Sequence, residues 1–184
     1  MQTDEQLMLA YVRGQEGAYR ELFARLAPVL LRIALRQLRR PADAQDILQQ
    51  TFLQIHRARF DYDGRSKLRP WAITILLNLA RDVLRRRGRW LESELDAERL
   101  PAHDAAAGRG ERAETSARVR AAVACLPTPQ REVIELHWFE ELSFEDIGAV
   151  VGAQPGTVRV RAHRGYQTLR KALGDVVPAT SATA

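Results

Sequence analysis

The sequence contains one cysteine and no uncharged apolar run of the roughly 18 residues that a membrane-spanning helix needs. A single cysteine, Cys125, excludes an internal disulfide framework and a thiolate-based zinc site within one chain. Residues 1–6 also lack the basic stretch and apolar core of an export signal. We therefore expect a cytoplasmic protein without direct membrane insertion, in which Cys125 is a buried structural thiol.

Enzyme motifs are missing as well. The histidines lie far apart in the sequence without a metal-like pair: His56, His103, His137 and His163. No phosphate-binding loop or activated-nucleophile motif is present. We expect no catalytic residue, no metal site and no cofactor, so the chain is not expected to be an enzyme.

Lysine is scarce, since only Lys67 and Lys171 occur among 28 basic residues, and the formal net charge is +5. The other basic residues are arginines, which prefer bidentate contacts with phosphates and base edges. This bias indicates a nucleic-acid partner, although a GC-rich genome would produce the same bias. The clustering of the arginines is therefore more informative than their number.

The apolar residues recur at helical spacing, with no strand pattern and no internal repeat. Residues 91–116 depart from this pattern, with seven acidic against three basic residues, Pro101, Gly108 and Gly110. The sequence thus predicts an all-α protein of two small helical domains joined by a flexible linker. The expected divisions are a domain at 1–90, a flexible acidic linker at 91–116, a second domain at 117–174 and a disordered tail at 175–184.

Residues 143–171 predict a helix-turn-helix. Ser143 precedes a carboxylate at the third following residue, which is typical of a helix start. Gly152 can adopt the left-handed conformation at the end of that helix, and Pro155 suits the first turn of the next one. We expect a preceding helix to complete a small core with Val133, Ile134 and Trp138.

The second helix of this motif separates an apolar stripe from a basic face. We expect Val158, Ala162, Gly165 and Leu169 to face inward. The groove-facing candidates are Arg159, Val160, His163 and Arg164, with Thr157 and Arg161 placed to anchor the DNA backbone. A solvated basic helix without a ligand would show the same charges, but the cap, the turn glycine and the inward stripe favour DNA.

A second polar face is predicted on the helix from Trp71 to Arg87. Its members are Thr74, Asn78, Arg81, Asp82 and Arg85, and the opposite side is expected to be Ile75, Leu76, Leu79 and Val83. Amide and guanidinium groups beside an aromatic ring can hold unpaired bases. An ordinary surface helix with Trp71 in the core is the alternative.

Three segments together resemble the extracytoplasmic-function sigma factors of the sigma-70 family. The family's polymerase-binding helix is resembled by residues 43–52, DAQDILQQTF. Its promoter-melting helix is resembled by residues 71–82, from WAI to NLARD. Its promoter-reading domain is resembled by two stretches, residues 126–133 from LP to REV and residues 155–161, PGTVRVR. The chain departs from the usual pattern at Gln50, at Ala153 and Gln154, and at Gly165, where alanine is commoner.

The resemblance implies a bacterial initiation factor that binds core RNA polymerase, directs it to promoters and helps to melt the minus-10 element. It implies that an exposed face of one helix binds the clamp of the largest polymerase subunits: Asp43, Asp46, Gln49, Gln50 and Gln54. The implied minus-10 residues are Arg65, Ser66, Lys67, Arg69, Trp71, Asn78, Arg81, Asp82 and Arg85. The implied minus-35 residues are Thr157, Arg159, Val160, Arg161, His163 and Arg164. An anti-sigma factor is a further implied partner.

One alternative from another class stays open at this point. An autonomous regulator could bind operators as a dimer through the same helix-turn-helix, with the N-terminal half serving for dimerisation or ligand binding. It would need a self-complementary apolar surface, and none stands out in the sequence.

Overall fold

The computed structural model describes residues 2–38, 40–93 and 111–174. In these ranges every regular element is an α-helix, which confirms the all-α prediction. The helices are α1 (Asp4–Val12), α2 (Ala18–Leu38), α3 (Pro41–Arg57), α4 (Leu68–Ser93), α5 (Glu111–Ala124), α6 (Thr128–Trp138), α7 (Phe144–Val151) and α8 (Pro155–Leu173).

The chain divides into two compact units, Met1–His103 and Asp104–Ala184. Helix α5 begins at Glu111, inside the segment 91–116 that the sequence predicted to be linker. Residues 94–110 and 175–184 lie outside the described residues. The flexible linker and the disordered tail therefore stay predictions.

The N-terminal unit begins with α1, whose start at Asp4 lies before Leu7, where the helical spacing of apolar residues begins in the sequence. The Thr3 hydroxyl accepts a hydrogen bond from the Gln6 amide at 3.2 Å, and Gln6 Oε1 accepts one from the Thr3 amide at 2.9 Å. This reciprocal pair is a capping box, which satisfies donors that a helix start otherwise leaves free. The signal was present in the sequence, but it precedes the first apolar periodicity at Leu7.

The core of the N-terminal unit lies between α2, α3 and α4, with α1 packed on α2. Its largest fully buried side chains include Leu22, Leu26, Leu30, Ile33, Ile47, Ile55, Ile73, Leu76 and Leu77. Each buried aliphatic side chain of this size stabilises the unit by about 1.5–3 kcal/mol relative to exposure. The opposite side of α3 carries exposed side chains, and that of α4 carries exposed and half-buried ones.

The predicted inner face of α4 was partly wrong. Leu76 is buried as expected, but Ile75, Leu79 and Val83 are only half-buried. The core-facing positions are Ala72, Ile73, Leu76, Leu77 and Ala80. The predicted buried stripe is rotated about the helix axis relative to the observed one. Helix α4 packs against both α2 and α3, so its buried stripe is centred on a different side from the one predicted.

The C-terminal unit is built around a cluster of five buried side chains. These are Val123, Leu126, Ile134, Leu169 and Leu173, with Tyr166 packed against them.

Two sequence predictions about this unit were wrong. Trp138 is 54% exposed, because it lies at the end of α6 where its Nε1–H donates to the Tyr166 hydroxyl at 2.8 Å. Cys125 is exposed, because Val123 and Leu126 on either side of it occupy the inward positions.

The helix-turn-helix requires a close approach between α7 and the turn that follows it. Gly152 has φ 67° and ψ 40°, the left-handed conformation expected at the end of α7. A Cβ atom on Gly148 would lie 2.7 Å from the backbone carbonyl oxygen of Ala153. A Cβ on Gly165 would lie 2.7 Å from Ile134 Cδ1. Gly165, where alanine is commoner in the family that the sequence resembles, thus marks the approach of α6 to α8.

Gly148→Ala tests this close approach. Alanine favours a helix, but here its methyl group meets a backbone carbonyl that cannot move without opening the turn. We expect a loss of stability in the C-terminal unit of about 1–3 kcal/mol, measured by hydrogen exchange of the α7 and α8 amides in the full chain. Gly156→Ala is the matched control, because no atom lies within 4 Å of the added Cβ. Equal protection in the two variants would show that the turn accommodates a methyl group at position 148.

Candidate nucleic-acid interface

Helix α8 presents the predicted minus-35 residues on its outer side. Thr157, Arg159, Val160, His163 and Arg164 are exposed, and Arg161 is half-buried. Val158, Ala162, Gly165 and Leu169 are buried, as the inward stripe predicted. The helix carries no carboxylate along Pro155–Leu173. It therefore offers one basic surface of the kind that fits the DNA major groove.

The start of α7 fixes the helix that precedes this surface. The Ser143 hydroxyl accepts the Asp146 amide at 3.1 Å and donates to the Asp146 carboxylate at 2.8 Å. The cap predicted at Ser143 is confirmed, although the carboxylate binds the hydroxyl of Ser143 instead of completing a reciprocal box. Pro155 lies in the first turn of α8, as predicted.

Two side chains of the α8 surface have partners within the C-terminal unit. Arg159 Nη2 donates to Glu145 Oε1 of α7 at 3.0 Å. His163 Nε2 lies 2.9 Å from the Gln167 amide nitrogen, one turn further along α8. Sequence reasoning missed Glu145, since the contact spans 14 residues and joins two helices.

The loop before α4 is held by hydrogen bonds to its own backbone and to α1. The Tyr62 hydroxyl donates to the Ser66 carbonyl at 2.5 Å, and the Arg65 amide donates to Asp63 Oδ1 at 2.9 Å. Burial, together with the charges of Glu5 and Asp63, raises the pKa of Tyr62 to about 12. The hydroxyl is protonated at neutral pH even at its ordinary pKa, and the raised pKa keeps it a donor further into the alkaline range.

Glu5 of α1 completes the anchorage of this loop. Its Oε1 accepts the Leu68 amide, at the first residue of α4, at 3.1 Å. Burial acts to raise the pKa of Glu5, but hydrogen bonds from the Leu68 amide, its own amide and Thr3, with the charge of Lys67, lower it below the ordinary value. The carboxylate, which is charged at neutral pH, caps α4 from a distant part of the chain, and the lowered pKa keeps it charged further into the acidic range.

The predicted minus-10 residues divide between this loop and α4. Arg65, Ser66 and Lys67 are exposed, while Arg69 and Trp71 are half-buried. The Trp71 ring centroid lies 5.4 Å from that of Tyr62, so one side of the indole packs on the loop that carries the basic residues. Trp71 is thus neither a core residue nor a fully open stacking surface.

Further along α4, the polar face has partners of its own. Arg81 Nη1 donates to Asn78 Oδ1 at 3.2 Å, and Asp82 forms an ion pair with Arg85. Asn78 is exposed, and its amide N–H groups are separate from the oxygen that accepts from Arg81. The face therefore displays a hydrogen-bonding amide between cationic groups.

The predicted polymerase-binding face lies on α3, opposite the core. Asp46, Gln49, Gln50 and Gln54 are exposed, while Ile47 and Ile55 are fully buried. Asp43 differs from these four, because its carboxylate is half-buried and ion-paired with Arg87 of α4. Sequence reasoning had no signal for this pair, since 44 residues separate its members.

Two further findings concern the part of the chain that the structure describes. It contains no group of three or more His, Cys, Asp or Glu side chains that could hold a metal ion. None of its helices combines the length and the apolar character needed to cross a membrane.

Comparison with known proteins identifies the two units. A family model described as sigma-70 region 2 matches residues 22–89, and one described as sigma-70, region 4 matches residues 116–169. The chain is 37% identical over 163 residues to the RNA polymerase sigma factor CarQ of Myxococcus xanthus, covering 89% of this chain and 93% of the relative. It is 30% identical over 172 residues to the ECF RNA polymerase sigma factor SigM of Mycobacterium tuberculosis H37Rv, covering 94% and 85%.

A solved structure gives the same result. The sigma factor RpoE of Bartonella quintana, crystallised with the anti-sigma factor NepR, superimposes with a TM-score of 0.71 at 25% identity. The match covers 84% of this chain and 96% of RpoE. The chain therefore belongs to the extracytoplasmic-function sigma factors of the sigma-70 family, which are transcription initiation factors of RNA polymerase.

Proposed function

We propose that this chain directs core RNA polymerase to promoters through three exposed surfaces, one for the polymerase and two for DNA. The observation that supports this most strongly is the exposed basic side of α8, which lies in the unit that matches sigma region 4. A helix-turn-helix whose second helix carries only cationic charges can enter the major groove.

In the minus-35 complex, the side chains of α8 divide between bases and backbone. Arg159, Val160, His163 and Arg164 lie on the fully exposed side and contact base edges. Thr157 at the helix start and the half-buried Arg161 contact phosphates, because they border the packed side of the helix. The phosphate contacts fix the register, and the base contacts select the sequence.

In the minus-10 complex, the loop before α4 and the polar face of α4 hold the displaced non-template strand. Asn78 supplies amide donors to an extruded base, and the surrounding cations balance the phosphate charge. These cations are Arg65, Lys67, Arg69, Arg81 and Arg85, while Ser66, Trp71 and Asp82 shape the surface. The Glu5 anchor keeps the loop in place while the strand moves.

The polymerase contact is the polar face of α3. Asp46, Gln49, Gln50 and Gln54 project from a helix whose other side is buried, so the surface is rigid before binding. Asp43 contributes by its ion pair with Arg87, which ties the start of α3 to α4. The clamp of the largest core subunits is the proposed docking partner.

An anti-sigma factor is the proposed regulator, because the similar RpoE structure contains one. An antagonist that covers the α3 face would block binding to core polymerase, and one that covers the α8 face would block binding to DNA. We place the protein in the cytoplasm, where core polymerase and the chromosome are found.

Asp46→Lys tests the polymerase surface. A partner surface that complements a carboxylate repels an ammonium group, so we expect the affinity for core polymerase to fall about tenfold or more. Glu16→Lys is the matched control, since Glu16 is exposed and lies outside α3. Competition for core polymerase by fluorescence anisotropy measures both variants, and equal affinities would exclude the α3 surface.

Asn78→Ala tests base capture. Extrusion of a base costs a few kcal/mol, and the loss of one hydrogen-bonding partner should lower the fraction of melted promoter about tenfold. Permanganate reactivity of minus-10 thymines, measured at equal promoter occupancy, reports this fraction. A promoter carrying a pre-opened bubble should reduce the defect, because the cost of unpairing is removed. Unchanged reactivity on the duplex promoter would contradict the assignment.

Arg159→Ala tests base recognition by α8. If Arg159 contacts a guanine, promoter binding weakens by about 1–3 kcal/mol and discrimination is relaxed at one base pair. Arg170→Ala removes the same charge near the other end of α8 and should weaken binding to all duplexes alike. The affinity of polymerase holoenzyme for promoters with single upstream substitutions distinguishes a base contact from a phosphate contact. A uniform loss in Arg159→Ala would show that Arg159 contacts a phosphate.

A further inference from the structure

One ion pair of the C-terminal unit connects the proposed DNA-reading surface to a residue outside it. Arg159 Nη2 of α8 lies 3.0 Å from Glu145 Oε1 in the first turn of α7. The two side chains are 60% and 62% exposed, so the pair is open to solvent beside the surface that we assign to DNA. Its contribution to folding is small, because solvent screens exposed pairs.

The pair nevertheless restricts the arginine. A guanidinium group has five N–H donors in a rigid planar fork, and the bond to Glu145 uses one of its terminal nitrogens. The remaining donors are free to contact two acceptors on a base. An exposed arginine without this contact would sample many rotamers, and binding would have to order them. Glu145 therefore prepares one orientation of Arg159 before DNA arrives.

The charge of Glu145 has a second effect. Its carboxylate lies beside Arg159 and opposes the approach of phosphates, which supply most of the affinity for unrelated DNA. The neighbouring Asp146 carboxylate accepts a hydrogen bond from Ser143, so it is already engaged in the helix cap. Glu145 thus lowers attraction to any DNA backbone while it favours a partner that accepts the oriented guanidinium.

We propose that Glu145 is a positioning residue that sets the base selectivity of Arg159 in the upstream promoter element. This inference rests on the proposed role of α8 in minus-35 recognition. Helix α7 thus takes part in selectivity in two ways. Glu145 orients the guanidinium group of Arg159 toward a base, and its charge repels the phosphates of unrelated DNA.

The test uses polymerase holoenzyme formed with the full chain and a duplex library randomised over the upstream element. Wild type, Glu145→Gln, Arg159→Gln and the double variant are compared by sequencing the bound fraction. Glu145→Gln keeps the shape of the side chain and removes its charge. Glu141→Gln removes the same charge from an exposed residue before Ser143 and serves as the control. Affinity for a non-promoter duplex is measured in parallel.

We expect Arg159→Gln to abolish the preference at one base pair. Glu145→Gln should reduce that same preference about two- to fivefold, the range typical of an exposed ion pair, while its affinity for the non-promoter duplex is equal or higher. In the Arg159→Gln background, Glu145→Gln should change no base preference, and Glu141→Gln should resemble wild type.

Other outcomes overturn the proposal in distinguishable ways. A parallel fall in affinity for promoter and non-promoter DNA would assign Glu145 to the stability of α7 alone. A normal base preference in Glu145→Gln, with the preference lost in Arg159→Gln, would remove the positioning role and leave α8 as the reading helix. A normal preference in Arg159→Gln would instead contradict the role of Arg159 on which the inference rests.

Discussion

Each unit is held together by the burial of the apolar side of most of its helices. Isolated helices shorter than about 12–15 residues are marginal in water, so the stability of a helix such as α7, with 8 residues, comes from packing. The single cysteine provides no internal cross-link, and the described residues contain no metal cluster. Since the apolar side of such a helix faces inward, it also determines which side chains remain outside. The proposed interfaces on α3, α4 and α8 are these outward sides.

The packing also limits how far the sequence could predict the site. In α8, the capping signals and the inward stripe are local, and the structure places Val158, Ala162 and Leu169 as predicted. Helix α4 contacts three helices, α1, α2 and α3, and its buried stripe was assigned partly to the wrong side. Trp138 and Cys125 were misassigned for a related reason, since apolar type alone does not fix direction at a helix end.

Contacts between distant residues were beyond reach of the sequence. Glu5 caps α4, Asp43 pairs with Arg87, and Glu145 pairs with Arg159, each across a tertiary contact. All three involve a charged side chain that spacing rules would assign to solvent. Each contact supports a proposed interface. Glu5 holds the minus-10 loop, the Asp43–Arg87 pair holds the start of the polymerase-binding helix, and Glu145 holds a base-reading arginine.

As a sigma factor, this chain gives core polymerase the ability to start transcription at specific promoters. Run-off transcription with core polymerase on a library of genomic promoter fragments measures this ability. We expect discrete transcripts that require both the chain and core polymerase, with no stable promoter binding by the chain alone. Specific duplex binding by the chain alone as a dimer, without any transcript start on addition of core polymerase, would contradict this expectation and favour an autonomous regulator.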